Sequence, residues 1–158
     1  MSGSRLEVPE DLLRAVYAHA AQGWPEEVCG MLLGPKGETR VDEARRCANE
    51  QNRLHAEDPK AFPRDARSAY NLGPKDLFFV ERSLRGDRPV KVVYHSHVDV
   101  GAYFSDEDER AALAGGDEPA YPVAWLVVDA RKDGARAAKL FAWSGRGFEA
   151  VAEYGSLP

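Results

Sequence analysis

The stretch VKVVYHSH, residues 90–97, decides how this chain folds and where its chemistry lies. Its first residues are mostly β-formers, which predicts a strand, and the strand ends in two histidines. Side chains at positions i and i+2 of a strand share a face, so His95 and His97 present their imidazoles together while Ser96 points away. Two imidazoles on one face can bind a single metal ion.

A candidate for the third ligand follows the histidines. After seven residues come Ser105 and then Asp108, in a predicted helix over residues 105–114. Two histidines and one carboxylate form a ligand set of catalytic zinc sites, which keep a fourth position for water. Two other interpretations stay open. The helix start also matches a capping box, in which Ser105 caps the helix and the acids complement its dipole. The histidines could also lie on a solvated strand face.

Glu27 is the candidate for the proton-transferring group. Zinc lowers the pKa of its water to about 7, and a nearby carboxylate must still take and deliver the proton. Glu27 directly precedes the apolar run 28–34, which is predicted to be a strand buried on both faces. In a sheet, this strand could lie beside the one that carries the histidines. Taken alone, Glu27 would be a surface acid.

The remaining patterns interleave helices and strands, which predicts an α/β or α+β fold with one central sheet. Strands 28–34 and 39–47 should form a hairpin, and a helix over residues 74–84 should turn Leu77, Phe78 and Leu84 to the core. Residues 49–65 are polar and are predicted to form a long surface loop, and long loops are often functional. The other predicted elements are a helix over residues 8–22 and strands over residues 121–128, 137–143 and 148–151.

Composition narrows the class of protein. The 158 residues suit a single domain, and the formal net charge of -5 comes from mixed acids and bases, which argues against a nucleic-acid-binding surface. The N-terminus has no signal-peptide core and no run is long enough to cross a bilayer, so we expect a cytoplasmic protein without membrane contact. Cys29 and Cys47 are then expected to be reduced thiols.

Two other chemistries fit the residues less well. His97-Val98-Asp99 could begin the facial triad of a non-haem iron oxygenase, but that pattern expects a distal histidine and none follows His97. Cys29 with a histidine could make a thiol protease, although a cysteine inside an apolar run is more often inert packing.

The same residues resemble the JAMM family of zinc metalloproteases, also called MPN+ or Mov34/PAD-1. The family motif is a glutamate, then His-x-His, seven residues, Ser, two residues and Asp, and residues 95–108 match its second part without a gap. Upstream, PEEVCGMLLG (residues 25–34) is similar to the family's Glu-x-Cys-Gly segment, and this alignment selects Glu27 over Glu26. The resemblance extends over residues 12–128.

This resemblance implies a fold and a set of roles. The fold is a curved mixed β-sheet flanked by helices, related to the cytidine deaminase architecture. His95, His97 and Asp108 would bind zinc, Glu27 would act as general base and acid, and Ser105 would help to stabilise the oxyanion.

The compact form, with residues 1–158 as one domain, resembles the prokaryotic branch of the family. Enzymes of that branch cleave after the C-terminal Gly-Gly of ubiquitin-like or sulfur-carrier proteins, and one releases cysteine from such a carrier. The resemblance therefore implies a carrier-protein substrate. Many relatives have proline after His-Ser-His where this chain has Val98, which leaves the substrate open. A homodimer, a non-catalytic scaffold and a zinc hydrolase of small amides or nucleobases also stay open, although the related deaminases use a cysteine pair that is absent here.

Overall fold

The computed structural model describes residues 6–158 as one open, six-stranded mixed sheet with helices packed against it. The strands are β1 (Cys29–Leu33), β2 (Glu43–Cys47), β3 (Val90–Val98), β4 (Ala124–Arg131), β5 (Gly134–Trp143) and β6 (Phe148–Tyr154). The helices are α1 (Glu10–Gly23), α2 (Gln51–Glu57), α3 (Pro74–Ser83) and α4 (Asp106–Leu113). Residues 1–5, which the single-domain prediction included, lie outside the described residues.

The strand order is β2-β1-β3-β4-β5-β6. β3 and β4 pair in parallel, and each of the other neighbouring pairs in residues 6–158 is antiparallel. The predicted α+β class, with a mixed sheet flanked by helices, is confirmed. Of the helices in this part of the chain, none has both the length and the apolar character that a membrane span needs.

β1 and β2 form the predicted antiparallel hairpin, and all five residues of β1 are buried. β2 is shorter than the predicted strand over residues 39–47, because its first part pairs with the N-terminal segment instead. Glu7 N donates to Thr39 O at 2.8 Å, and Val41 N donates to Glu7 O at 3.2 Å. These backbone groups are therefore satisfied without extending the hairpin.

The prediction of an uninterrupted loop over residues 49–65 is wrong, because α2 lies within it. Gln51 is the buried residue of this helix, so the sequence carries no apolar period that would reveal it. Polar interactions support the helix instead. Asn49 Oδ1 accepts a hydrogen bond from Gln51 N at 3.0 Å, and Arg53 forms ion pairs with Glu50 and Glu57 at neighbouring turns.

α3 presents a different face to the core from the predicted one. Val80 is buried and Phe79 packs against the core, whereas Leu77 and Phe78 are 37% and 59% exposed. Leu84 packs against the core as predicted. Val80 and Leu84 are one turn apart and set the buried face. Residues that share a helix face are three or four positions apart, so Phe78, two residues before Val80, points elsewhere.

Alternation along β3 places the histidines on a definite side of the sheet. Val92 and Tyr94 pack with α1 on one face. Val93 packs with residues of α3 and α4 on the other face. Because His95 and His97 follow Val93 at two-residue spacing, they lie on the side that α3 and α4 cover.

Gly30 of β1 leaves room for the ring of Tyr94 on the neighbouring strand. The two residues are register partners, and a Cβ at position 30 would come within 2.3 Å of the Tyr94 ring. The ring cannot move away, because Tyr94 is buried and its hydroxyl lies 2.6 Å from His19 Nδ1 on α1. Close packing of α1, β1 and β3 therefore requires glycine at this position.

Gly30→Ala is expected to lower the free energy of unfolding by about 1–3 kcal/mol, the usual cost of overpacking a core. Gly147→Ala is the matched control, because a Cβ at that position meets nothing within 4 Å. Urea unfolding followed by circular dichroism compares both variants with the wild-type protein. Equal stability of the two variants would contradict the packing role of Gly30.

Candidate metal centre

The pairing of β1 with β3 brings the predicted acid and the predicted histidines to the same end of the sheet. Ser96 N donates to Val28 O at 3.0 Å, and the Ser96 hydroxyl accepts a hydrogen bond of 2.8 Å from Val28 N. Because the two strands are antiparallel, the next step of this register sets Glu27 level with His97.

His95, His97 and Asp108 converge at this end of β3, and all three are buried. Nε2 of His95 lies 3.1 Å from Asp108 Oδ1, and Nε2 of His97 lies 3.1 Å from Asp108 Oδ2. Their potential ligand atoms lie within 4.8 Å of one another, and within residues 6–158 this is the one group of its kind. Burial opposes ionisation of Asp108, yet the two imidazoles and the Ser105 amide hold its pKa well below the usual range.

The ring nitrogens of His95 indicate that this cluster fits a metal ion. The side chain is fully buried, and neither Nδ1 nor Nε2 makes a hydrogen bond within the described part of the chain, because Nε2 lies close to Asp108 Oδ1 without hydrogen-bond geometry. Burial lowers the pKa of His95, so its ring is neutral and keeps a lone pair. A buried nitrogen without a partner is costly, and a cation beside Asp108 would satisfy it. Two imidazoles and one carboxylate are donors that suit zinc.

His97 is oriented by the loop that follows β3. Its Nδ1 lies 3.0 Å from the carbonyl oxygen of Gly101, which can only accept a hydrogen bond, so Nδ1 carries the proton. Nε2, on the other side of the ring, faces the Asp108 carboxylate at 3.1 Å, where both groups could bind one cation. Gly101 has a φ of 94°, a conformation that glycine adopts without strain. The ring of Tyr103 packs edge-on against the imidazole, with centroids 4.8 Å apart.

Ser105 and Asp108 form the capping box that was the alternative interpretation of this segment. Ser105 Oγ accepts from Asp108 N, and Ser105 N donates to Asp108 Oδ2, both at 3.0 Å. The cap leaves the hydroxyl proton of Ser105 unused, and both carboxylate oxygens of Asp108 still face the histidines. Capping and a role in the cluster are therefore compatible in the same two side chains.

A cavity of about 460 Å³ opens beside the cluster. Glu27, His97, Ser105 and Asp108 line it, so the structure brings four of the five predicted site residues to one surface. The fifth, His95, lies buried behind them. Parts of residues 61–71 form one stretch of the cavity wall, and parts of residues 97–111 form another.

Glu27 is held at this cavity by its backbone. Its amide donates to Ala66 O at 2.7 Å, and its carbonyl accepts from Asn49 Nδ2 at 2.9 Å. Its side chain is buried. Burial, together with the charge of Asp108, raises the pKa of Glu27 to about 9, and Arg64 opposes this rise. Without a cation nearby, the carboxyl group is therefore protonated at neutral pH.

This raised pKa makes the stability of the metal-free protein depend on pH. Folded Glu27 binds its proton more tightly than the unfolded chain does, so its contribution is complete below pH 4.5 and is lost as the pH rises toward 9. With a chelator present, the wild-type protein should lose up to about 1.4 kcal/mol of unfolding free energy per pH unit relative to Glu27→Gln near neutral pH. Glu26→Gln, at the exposed neighbour, should keep the wild-type profile. Parallel profiles for the wild type and Glu27→Gln would contradict the raised pKa.

Tyr70 is a residue of this site that the sequence analysis missed. Its ring stacks on the imidazole of His95, with centroids 4.4 Å apart and planes inclined by 20°. Because His95 Nδ1 has no hydrogen-bond partner within residues 6–158, this stacking takes over the orienting role that a hydrogen bond plays for His97. Tyr70 lies in an irregular segment beyond the predicted loop over residues 49–65, and no periodicity or motif in the sequence marks it.

Tyr70→Ala is expected to weaken zinc binding by about 10- to 100-fold, the usual effect of removing a group that orients a metal ligand. Tyr70→Phe keeps the stacked ring and should bind zinc like the wild-type protein. Competition with a zinc-chelating dye measures the affinities, and circular dichroism checks that both variants are folded. Wild-type affinity in Tyr70→Ala would show that other contacts hold His95.

The open mixed sheet and the buried His-His-Asp cluster define this protein as a JAB-type, or MPN-type, domain. The sequence profile of the prokaryotic homologs of the JAB domain matches residues 9–143, and the chain belongs to this family. The family membership predicted from the motifs is confirmed.

Particular relatives agree with this assignment. The chain is similar to the CysO-cysteine peptidases of Mycobacterium tuberculosis and Mycobacterium bovis, each 32% identical over 108 residues. The match covers 68% of this chain and 65% of each relative, so it spans slightly less than two thirds of their length.

Solved structures show the same fold. A solution structure of a protein from Desulfitobacterium hafniense has a TM-score of 0.62 and 20% identity, and the match covers 90% of this chain and 87% of that one. A solution structure of a protein from Salinibacter ruber has a TM-score of 0.61 and 23% identity, with coverages of 97% and 93%.

Proposed function

We propose that this chain is a zinc-dependent peptidase or isopeptidase that hydrolyses the amide bond after the C-terminal Gly-Gly of a sulfur-carrier or ubiquitin-like protein. The observation that carries this proposal is the meeting of Glu27 with the buried His95, His97 and Asp108 cluster at one cavity. Membership of the JAB family supports hydrolase activity. The relatives named CysO-cysteine peptidase support a sulfur carrier as the substrate, with cysteine as the released group.

In this proposal, His95, His97 and Asp108 would hold zinc through their imidazoles and carboxylate. When bound, the ion would supply a Lewis acid for the substrate carbonyl and would make water nucleophilic near neutral pH. Ser105 donates its hydroxyl proton to the carbonyl oxygen as negative charge develops there. Its Oγ already accepts from the Asp108 amide, which fixes the position of the hydroxyl.

Glu27 moves the proton in this mechanism. It accepts a proton from the attacking water and transfers it to the leaving nitrogen, while the carbon–nitrogen bond breaks and the water oxygen stays on the carbonyl carbon. A cation held by the cluster would favour the ionised form of Glu27 and so lower its pKa from about 9. A carboxyl group with a pKa near the working pH can both accept and release a proton.

The shape of the cavity supports a glycine-rich tail as the bound segment. Two stretches of the chain, parts of residues 61–71 and of residues 97–111, line it together with Glu27. A Gly-Gly segment carries no side chains and can approach both stretches closely. Val98, which stands where many JAMM relatives have proline, lines this cavity and would contact the tail.

Glu27→Gln tests the mechanism. The variant should bind stoichiometric zinc, because Glu27 is not a proposed ligand, and should lose about 10²–10⁴-fold in turnover. The substrate is a sulfur-carrier protein extended by one cysteine after Gly-Gly, and mass spectrometry follows its cleavage. Glu26→Gln, which makes the same change on an exposed neighbour, should keep wild-type activity. Full cleavage by zinc-loaded Glu27→Gln would refute the proposed role.

Metal analysis separates this proposal from the alternatives. Purified protein that holds no stoichiometric zinc and cleaves no carrier would be a protein-interaction scaffold of the MPN type. Zinc-loaded protein that cleaves small amides and leaves carrier proteins intact would be a small-amide hydrolase.

The wider expectations for the chain remain proposals. A single domain is supported by the family match over residues 9–143. A cytoplasmic location is supported by Cys29 and Cys47, which are cross-strand partners and yet free thiols. A protein partner rather than nucleic acid is supported by the net charge of -5. Formation of a homodimer stays a prediction.

A further inference from the structure

Two arginines with no acidic partner stand at the wall of the cavity. Arg64 and Arg67 both line it and are exposed, and within residues 6–158 neither guanidinium lies within ion-pair distance of a carboxylate. Arg64 Nη1 contacts a backbone oxygen, Ser68 O, at 3.4 Å. Arg110, which also lines the cavity, is paired with Glu107 at 3.0 Å. Residues 61–71 therefore bring to the cavity two guanidinium groups without an ion pair, and the charge of Arg64 also acts on the carboxyl group of Glu27.

Buried amide side chains fix this wall beside Glu27. Gln51, which is 4% exposed, donates from Nε2 to Arg64 O at 2.8 Å. Asn71 Nδ2 donates to Gln51 Oε1 at 2.8 Å. The amide of Ala66 donates to Asn52 Oδ1, also at 2.8 Å. Because Ala66 O accepts from Glu27 N, the backbone that carries the arginines is held to the backbone that carries the acid.

The position of Glu27 defines which part of the substrate faces this wall. The group that protonates the leaving nitrogen must lie on the leaving-group side of the broken bond. When the leaving group is a single amino acid, its carboxylate is bonded to the same α-carbon as that nitrogen. A free carboxylate that loses water on entering the cavity needs a positively charged partner. Guanidinium groups match carboxylates through paired hydrogen bonds and keep their charge.

We propose that Arg64 and Arg67 form a subsite for the free α-carboxylate of the residue released from the carrier tail. The inference rests on the proposed function and names its substrate class. The enzyme removes one C-terminal amino acid from the Gly-Gly tail, and it does not act on isopeptides, whose lysine leaving group lies within a chain. Hydrolysis breaks the glycine–amino acid bond, leaves the water oxygen on the glycine carboxylate and adds a proton to the amine of the released residue.

The test uses one carrier protein with three tails. The first ends in Gly-Gly-Cys with a free carboxylate, the second ends in the matching carboxamide, and the third joins Gly-Gly to the Nε of an internal lysine. The zinc-loaded wild-type protein should cleave the free acid with a kcat/KM about 10- to 100-fold higher than for the carboxamide, the range expected for charge-assisted hydrogen bonds. The isopeptide should be cleaved no faster than the carboxamide.

The double variant Arg64→Gln, Arg67→Gln should cleave the free acid and the carboxamide with equal kcat/KM. Because the charge of Arg64 also acts on Glu27, the ratio of the two values is the readout. Arg85→Gln is the control, because Arg85 is exposed, has no ion pair within the described residues and does not line the cavity. It should preserve the preference for the free acid. Equal rates for acid and amide in the wild-type protein, or equal losses for both in the double variant, would overturn the subsite.

A binding measurement keeps this inference distinct from the proposed reaction. Zinc-loaded Glu27→Gln is titrated with the free-acid and carboxamide carriers in a calorimeter. If the wild-type protein cleaves neither carrier but the free acid binds more tightly, and the arginine substitutions remove that difference, the subsite stands and the proposed reaction fails. If acid and amide bind equally, the subsite is refuted whatever the activity.

Discussion

The paired hydrogen bonds between Val28 and Ser96 are the constraint on which the rest of the site depends. They align β1 with β3 so that the residue before β1 reaches the histidine end of β3. A shift of one residue would turn the histidines to the opposite face of the sheet, where α1 packs. Gly30 helps to prevent such a shift, because the ring of Tyr94 fits only above a residue without a side chain. Packing on the α1 face of the sheet thus helps to fix the β1–β3 register, and this register positions the histidines on the other face.

Asp108 connects the local structure of α4 to the electrostatics of the site. One of its oxygens accepts from the Ser105 amide, which fixes the first turn of the helix, and both oxygens face imidazole nitrogens. A buried carboxylate needs such partners. The start of the helix therefore sets the direction of the carboxylate, and the surrounding charges favour a cation next to it. Removing the cap would disturb both the first turn of α4 and the direction of the Asp108 carboxylate.

Much of this arrangement could be predicted from the sequence, because it follows from short-range rules. Strand alternation placed His95 and His97 on one face, and the apolar run after Glu27 indicated a buried strand next to them. α2 could not be predicted, because its one buried residue is Gln51 and no apolar period marks it. Tyr70 lies in an irregular segment, and its ring stacks on His95, 25 positions further along the chain. Such contacts follow no local sequence pattern. The buried face of α3 was predicted wrongly, because tertiary packing around Val80 rather than the apolar pattern determines which side of the helix is buried.

The wall formed by residues 61–71 depends on very different interactions from the sheet beside it. Asn49, Gln51, Asn52 and Asn71 hold it through amide hydrogen bonds, and the segment adds few apolar side chains to the core. Substitutions at its outward positions therefore need not disturb the strands that carry the histidines. Tyr70 is the exception within this segment, because its ring packs on His95. The outward positions of the wall can thus be changed to alter what the cavity binds without changing the residues that form the cluster.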